Sequence, residues 1–417
     1  MIFFKNFREN IYIYINYLFI IFALFIPLNR AISNTILYLS FILFLFIPNL
    51  KDKLKIIIKN KIFQIFILFI LYNFLVLLWT PDKYYGIKYI SQYFRYFLIF
   101  IFAFSLKEKY IKYVISAFLL GLFISEITAY GIYFNLWDTY FHSQHVSNKH
   151  DLTPFMNHIM YTIFLGIGIL VILNKIFFEK LSIKEKIFLS LFFLTMSGNM
   201  FMSGGRGGQV AFFISFLTLI IYNIIKTKSY KYIFILIIPI ILFILGYEFS
   251  SLFHQRVNQT ILSLNKLQNF QFCTSFGERI GAWIVSYEIL KNPIYLIFGM
   301  GFKEPMIFLH HLIHTSDFNY LKCMDPHFSN YHLHNVYLMH ITQTGLIGLL
   351  LYLSFLYKLS VINIKDNLLT NIKVIFLSMF IIASFVEPIF HHTWTANLFL
   401  LFSSIFIHFD IKKSLSP

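Results

Sequence analysis

What most constrains this chain is the recurrence of apolar blocks close to 20 residues long, the length an α-helix needs to cross about 30 Å of hydrocarbon. Twelve spans are predicted, near 11–28, 31–48, 62–79, 90–106, 111–134, 155–174, 187–203, 208–225, 231–247, 335–357, 372–389 and 393–409. Only 12% of the residues are charged and 58% are hydrophobic, whereas an average soluble domain carries roughly 25% charge. A soluble globular fold is excluded, and the sequence reads as an all-α, polytopic integral membrane protein. Lys5 and Arg8 precede the first block as in a signal peptide. That block is long for one and further spans follow it, so it is expected to persist as an uncleaved first helix.

The basic residues orient the spans. Of 34 Lys and Arg residues, 22 lie at the termini or in the connections 51–61, 107–112, 175–186, 226–231 and 358–373. The alternate short connections hold only Arg30, Lys83, Lys88, Lys149 and Arg206. By the positive-inside rule both termini are cytoplasmic and the alternate connections face outward. The formal charge of +16 is therefore mostly a topological signal. It is dispersed over short loops, not gathered into the basic patch that nucleic acid requires. Three regions result: 1–247 with spans one to nine, a large outward loop at 248–334 with short helices, and 335–417 with spans ten to twelve. A loop that long is usually functional or separately structured.

Unusual residues collect on the outward side. The connection 135–154 contains Trp137, Asp138, His142, His145, His150 and Asp151. In the long loop, Gly277–Trp283 leads into a short amphipathic helix, Ile284–Leu290, ending before Asn292-Pro293, and Phe298-Gly-Met-Gly-Phe302 reads as a turn. Cys273 and Cys323, the two cysteines of the chain, either pair across about fifty residues, as an oxidising compartment allows, or stay apart as thiols, because disulfide geometry is strict.

Several residues suit chemistry on an anion. Ser203-Gly-Gly-Arg206-Gly-Gly-Gln209 opens a span. Gly205 and Gly207 let backbone approach a ligand, a helix N-terminus favours negative charge, and Arg206 offers bidentate contacts to phosphate. The competing reading is a tight turn whose arginine snorkels to the headgroups. Arg279 follows Glu278 in the loop, where a surface salt bridge would be worth little. Arg95 lies inside an apolar span, and an arginine there normally faces a polar cavity. Glu387 is a carboxylate in another apolar span, either buried for function or reaching the headgroups. Tyr331-His-Leu-His334-Asn335-Val-Tyr-Leu338 runs from polar to apolar, placing His334 and Asn335 at the lip of a helix, where an imidazole can exchange protons near neutral pH. His310-His311-x-x-His314, His327 and His332 invite a zinc reading, but no His-Glu-x-x-His accompanies them, and structural or interfacial histidines are expected instead. No P-loop, Gly-x-Ser-x-Gly or Asp-x-Asp motif is present, so neither ATP nor a soluble nucleotide sugar is implied.

Three blocks fall in order: Ser-Gly-Gly-Arg206-Gly-Gly; Glu-Arg279-x-Gly-Ala-Trp283 followed by Asn-Pro-x-Tyr-Leu-Ile-Phe-Gly-Met-Gly; and His334-Asn335-x-Tyr-Leu followed by Thr-Gly-Leu-Ile-Gly. Together they resemble the O-antigen ligase family, whose relatives include O-antigen polymerases and bacterial O-oligosaccharyltransferases. The resemblance covers about 200–390. It implies a GT-C-like membrane glycosyltransferase that moves a glycan from undecaprenyl pyrophosphate to a sugar of lipid A–core outside the inner membrane. The resemblance implies no metal, ATP or other cofactor, and implies inversion of the anomeric centre. The family's functional arginines fall on Arg206 and Arg279 and its essential histidine on His334. An acidic residue near the eleventh span falls on Glu387. Arg95, Gly205, Gly207, Asn335 and Glu387 are expected to bind substrate. Within the family the rival is a polymerase acting on the same carrier lipid. Outside it, the rival is a transporter of a lipid or organic anion, although the paired repeats and broken mid-membrane helices common in transporters are not evident.

Overall fold

The computed structural model describes residues 2–137, 151–324 and 333–415. Among these the regular structure is helical throughout. In chain order the helices are α1 (Ile2–Phe25), α2 (Arg30–Leu45), α3 (Leu50–Lys59), α4 (Lys61–Val76), α5 (Lys83–Ser91), α6 (Phe97–Ser105), α7 (Glu108–Tyr133), α8 (His158–Phe178) and α9 (Ile183–Phe201). They continue with α10 (Arg206–Thr227), α11 (Ile237–Phe249), α12 (Ser251–Gln268), α13 (Ser275–Leu290), α14 (Pro293–Phe298), α15 (Glu304–Leu312), α16 (Val336–Ser360), α17 (Asn367–Ala383) and α18 (Thr393–Leu415).

Six helices among the described residues are long and apolar enough to cross a membrane: Glu108–Tyr133, His158–Phe178, Arg206–Thr227, Tyr230–Phe249, Val336–Ser360 and Thr393–Ser414. The pair α2 and α3 adds a seventh only if it is read as one span bent by 116°. Lys61–Val76 and Asn367–Ala383 are apolar but shorter, and Asn10–Phe25 is the apolar part of the 24-residue α1. Six of the twelve expected spans thus pass on length and composition together, and two of the others differ for local reasons. The block at 90–106 is interrupted by a 3-10 turn at Gln92–Tyr96, which carries Arg95. The block at 372–389 stops at Ala383. Pro388 disfavours helical backbone just before it, so Glu387 lies in a turn and not, as expected, within a span.

α8 is apolar on every side and largely enclosed, as a helix without a polar face must be. α10 and α17 pack against it, and α18 fills the centre beside it with α6. Asn157 caps α8 by accepting from Met160 N–H at 3.0 Å. Ser182 and Glu185 form a reciprocal capping box at α9.

Two glycine-containing blocks from distant parts of the sequence meet at a break in α16. Gly345 adopts φ +68° in mid-helix, which releases nearby carbonyls from the helical ladder. Met300 N–H donates to Thr342 O at 2.8 Å and Gly301 N–H to Gln343 O at 3.0 Å, while the Tyr72 hydroxyl donates to Thr344 O at 3.0 Å. The released groups are paired inside the protein, as an apolar surrounding demands. Glycine is required here. A Cβ on Gly345 would stand 2.2 Å from Ile297 O, and one on Gly299 2.3 Å from Gln343 O. The expected turn at 298–302 is therefore the dock that fixes the helix beginning after His334 and Asn335.

Candidate functional site

The stretch Ser203–Gly208 joins α9 to α10 against the start of α8. A Cβ on Gly205 would fall 2.3 Å from both His158 O and Thr162 Oγ1, and one on Gly208 2.2 Å from Thr162 Oγ1. Gly207 faces Val386, whose Cγ2 would be 2.8 Å from an added Cβ. These glycines bring three segments together, so their missing side chains serve packing. The backbone is nonetheless left as anticipated for an anion: Gly205 caps α10 with no side-chain acceptor, which leaves N–H groups of the first turn for a ligand or water.

Asp151 fixes this turn from outside. Its Oδ1 accepts from Gly204 N–H at 3.0 Å and its Oδ2 lies 2.8 Å from His158 Nδ1. Burial pushes the Asp151 carboxyl up, but these two hydrogen bonds and the nearby Arg256 charge outweigh it and hold the group below its ordinary value.

Arg206 opens α10, and its guanidinium donates to Thr260 Oγ1 at 3.2 Å and to Ser275 Oγ. Both bonded partners are neutral hydroxyls. The charges of Arg256 and Arg279 bear on it instead, so three guanidiniums converge. Arg256 was not singled out from sequence. It lies on α12 one turn before Thr260, with Nη2 3.2 Å from where a Gly204 Cβ would stand. Its Nη1 donates to Gln259 Oε1 at 3.2 Å, while its buried Nε has no hydrogen-bond partner among the described residues. Basic character alone could not distinguish it from other loop residues.

Arg279 lies within α13, which Thr274 caps and which begins at Ser275. The expectation of a loop leading into a helix from Ile284 is corrected by nine residues, because Thr274 accepts from Gly277 N–H and starts the helix early. The charged partner is Glu387, which sequence reasoning did not pair with Arg279. Arg279 Nη2 donates to Glu387 Oε1 at 3.2 Å, its Nε to Val386 O at 3.3 Å and its Nη1 to Ser275 O at 2.6 Å. Ser275 thereby bonds both Arg206 and Arg279.

Glu387 is 4% exposed, and the same oxygen that accepts from Arg279 lies 3.4 Å from His334 Nδ1. A continuous polar chain, Arg279–Glu387–His334, therefore closes across the site. His334 has φ +50°, a left-handed conformation uncommon outside glycine. It is held between two anchors. Asn335 Oδ1 caps α16 by accepting from Tyr337 and Leu338 N–H at 2.9 and 3.0 Å, and Val336 N–H donates to Ser384 O at 2.8 Å. The Asn335 carbonyl oxygen is thus committed to fixing the helix start. His392 stands nearby, where burial holds its imidazole below the ordinary value against the opposing pull of Glu387.

Arg95 is not drawn into this group. No hydrogen bond or ion pair joins it to Arg206, Arg279, His334 or Glu387 among the described residues, and its buried Nη1 is without a partner. Neighbouring Gln92 and Tyr93 engage His391 at 2.7 and 3.3 Å. The rings of His310, on α15, and His314, just beyond it, lie 5.1 Å apart at a tilt of 59°, and no group of three or more potential metal ligands occurs among the described residues. Asp138, His142, His145, His150, His327 and His332 lie outside the described residues. Cys273 is disulfide-bonded.

A family model described as O-antigen ligase matches residues 191–353, a segment that contains Arg206, Arg256, Arg279, His334 and Asn335 and stops short of Glu387. No curated protein matches the chain. Members of the matched family are glycosyltransferase-like membrane enzymes of lipopolysaccharide biosynthesis. With its three motif blocks inside the matched segment and its arginines and histidine gathered at one place, the chain is similar over these residues to the O-antigen ligase/polymerase family, and the match supports that assignment.

Proposed function

We propose that the protein is an O-antigen ligase that transfers a glycan from undecaprenyl pyrophosphate to a sugar hydroxyl of lipid A–core. In this reading it lies in the bacterial inner membrane with both termini cytoplasmic and its site on the periplasmic face. The observation that carries the reading is the Arg279–Glu387–His334 chain set beside Arg206, Arg256 and the uncapped start of α10.

The chemistry divides accordingly. The acceptor oxygen attacks the anomeric carbon as its bond to the pyrophosphate oxygen breaks, and the electron pair leaves with the lipid pyrophosphate. Negative charge grows on phosphate oxygens, where preorganised guanidiniums and N–H groups are most effective. Arg206 and Arg256, with first-turn N–H groups of α10, hold that diphosphate, and Arg279 links it to the proton-handling side. The attacking hydroxyl gives its proton to His334. With Nδ1–H directed at Glu387, Nε2 is the basic nitrogen, and the carboxylate stabilises the imidazolium that forms. A single displacement of this kind inverts the anomeric centre, and in this reading guanidiniums do the charge neutralisation that a divalent cation does elsewhere.

The test is deletion of the gene, gel analysis of envelope glycolipids, and complementation with wild type and His334→Ala. The ligase reading expects polymerised glycan retained on the carrier lipid, bare lipid A–core, and no rescue by His334→Ala at normal expression. Core bearing a single repeat unit would instead identify a polymerase. An unchanged gel would remove both and point to transport.

A further inference from the structure

Away from the arginines and His334, the C-terminal part of α7 carries a second polar anomaly. Glu126 is 2% exposed within an apolar helix, and among the described residues neither of its carboxylate oxygens has a hydrogen-bond partner. Such a group is costly in hydrocarbon, and an ionisable residue inside a membrane segment normally marks a ligand or ion site. Glu126 borders a cavity of about 270 Å³ lined also by Phe123, Tyr130, Phe134, Trp137 and Thr195. A cavity of ~150 Å³ already accommodates benzene, so a small headgroup fits.

The cavity walls are specifically built. Beyond α7 the chain turns back, and Trp137 Nε1 donates to Thr128 O at 3.1 Å. The indole lies where only glycine permits it, since a Cβ on Gly131 would stand 1.9 Å from Trp137 Cζ2. Tyr130 crosses to α9, its hydroxyl donating to Thr195 O at 2.7 Å. The Thr195 hydroxyl is itself directed to the carbonyls of Leu191 and Phe192. Aromatic faces therefore surround one buried carboxyl group beside Thr195, and among the described residues no basic residue lines the cavity. Trp137 is bonded at Thr128, two residues or ~3 Å of helix rise beyond Glu126, and tryptophans of this kind mark the depth of lipid headgroups.

We propose that this pocket binds the primary ammonium headgroup of a membrane lipid of the phosphatidylethanolamine type. Glu126 accepts N–H groups from the ammonium, and Tyr130 and Trp137 flank the cation with their π-faces. A buried carboxyl calls for N–H donors, which a choline headgroup lacks, and an anionic headgroup meets no cation there among the described residues. Because α9 runs on from Thr195 to the Gly-rich turn, the bound lipid braces the helix that ends at the site. The proposal does not depend on the reaction assigned above.

The experiment is reconstitution of the full chain in nanodiscs of equal phosphatidylethanolamine, phosphatidylcholine and phosphatidylglycerol, with retained lipid identified by native mass spectrometry. Phosphatidylethanolamine is expected to be retained about tenfold over either competitor, a preference within the range of a desolvated cation–π contact. Glu126→Gln should bring the three lipids to parity, and Trp137→Leu, at the pocket rim, should weaken retention several-fold. Equal retention by the wild type overturns the proposal, as does a preference that survives both substitutions. If Glu126→Gln fails to fold, Trp137→Leu decides.

Discussion

α10 begins at Gly205–Arg206 without a side-chain cap, whereas α16 begins at Asn335, whose side chain accepts from two N–H groups. Both starts face the same site. The first leaves helix N–H groups available and surrounds them with guanidiniums, an arrangement that gains most when an anion arrives. The second satisfies its own N–H groups and spends the stability on holding His334 in a left-handed conformation against Glu387. One start is built to receive charge and the other to keep geometry, so substitutions at the two should fail in different ways.

The largest effect is expected from His334→Ala. General-base groups typically contribute 10²–10⁴-fold, so transfer measured with purified lipid-linked donor should fall by at least about 10²-fold, with donor binding unchanged. Glu387→Gln keeps a hydrogen-bond acceptor but removes the charge that stabilises the imidazolium. A loss of about 10²-fold in kcat is expected on the logic of the carboxylate–histidine pair. A Gln variant with wild-type kcat would detach Glu387 from the reaction.

On the α10 side the expected loss is in donor affinity. Arg256→Ala and Arg206→Ala should each raise the donor KM by about tenfold, in line with ~1.5–3 kcal/mol for a hydrogen bond to a charged group, with a smaller change in kcat. Arg206→Lys should not restore it, because an ammonium cannot reproduce the fork that bonds Thr260 and Ser275 together. The comparison breaks if these variants lose kcat and His334→Ala loses only KM.

The caps give a smaller contrast, in stability. Gly205→Ala forces a Cβ against His158 O and Thr162 and should cost about 1–3 kcal/mol by overpacking. Asn335→Ala removes a cap and should cost about 1 kcal/mol, with Asn335→Asp restoring it. Thermal unfolding in detergent separates the two. The smallest effect concerns Asp151. Its folded value is depressed, so its contribution is present above the unfolded value of ~3.9 and is lost as pH falls through the lower folded value. The melting difference between wild type and Asp151→Asn should therefore be full at pH 7 and close below about pH 4. A difference that persists in acid would mean that the Asp151–His158–Gly204 contacts do not stabilise the turn by charge.

Helical membrane character, the position of Arg206 at a helix start and that of His334 and Asn335 at another were legible because each is a local property. Apolar runs of span length, glycine next to arginine, and a polar entry to an apolar block all report backbone within a few residues. The broken blocks were less legible. Hydropathy is blind to the 3-10 turn around Arg95 and to the stop of α17 before Glu387, since both segments stay apolar while their backbone changes. Arg279 was found by its motif but its pairing with Glu387 was not, because Glu278 is adjacent in sequence whereas Glu387 is adjacent only after α13 docks on the turn beyond α17.

By itself, then, the sequence determined the solvent this chain lives in, the ends of its principal helices and the residue types that could handle an anionic leaving group. Only the tertiary structure decided which of those residues act together. Arg256 beside Arg206, Asp151 on Gly204, and Glu387 between Arg279 and His334 are pairings over 50, 53, 108 and 53 residues of chain. Such pairings carry no periodicity and no composition. They form because packed helices bring the groups within bonding distance, where low dielectric makes each unpaired charge costly enough to select its partner.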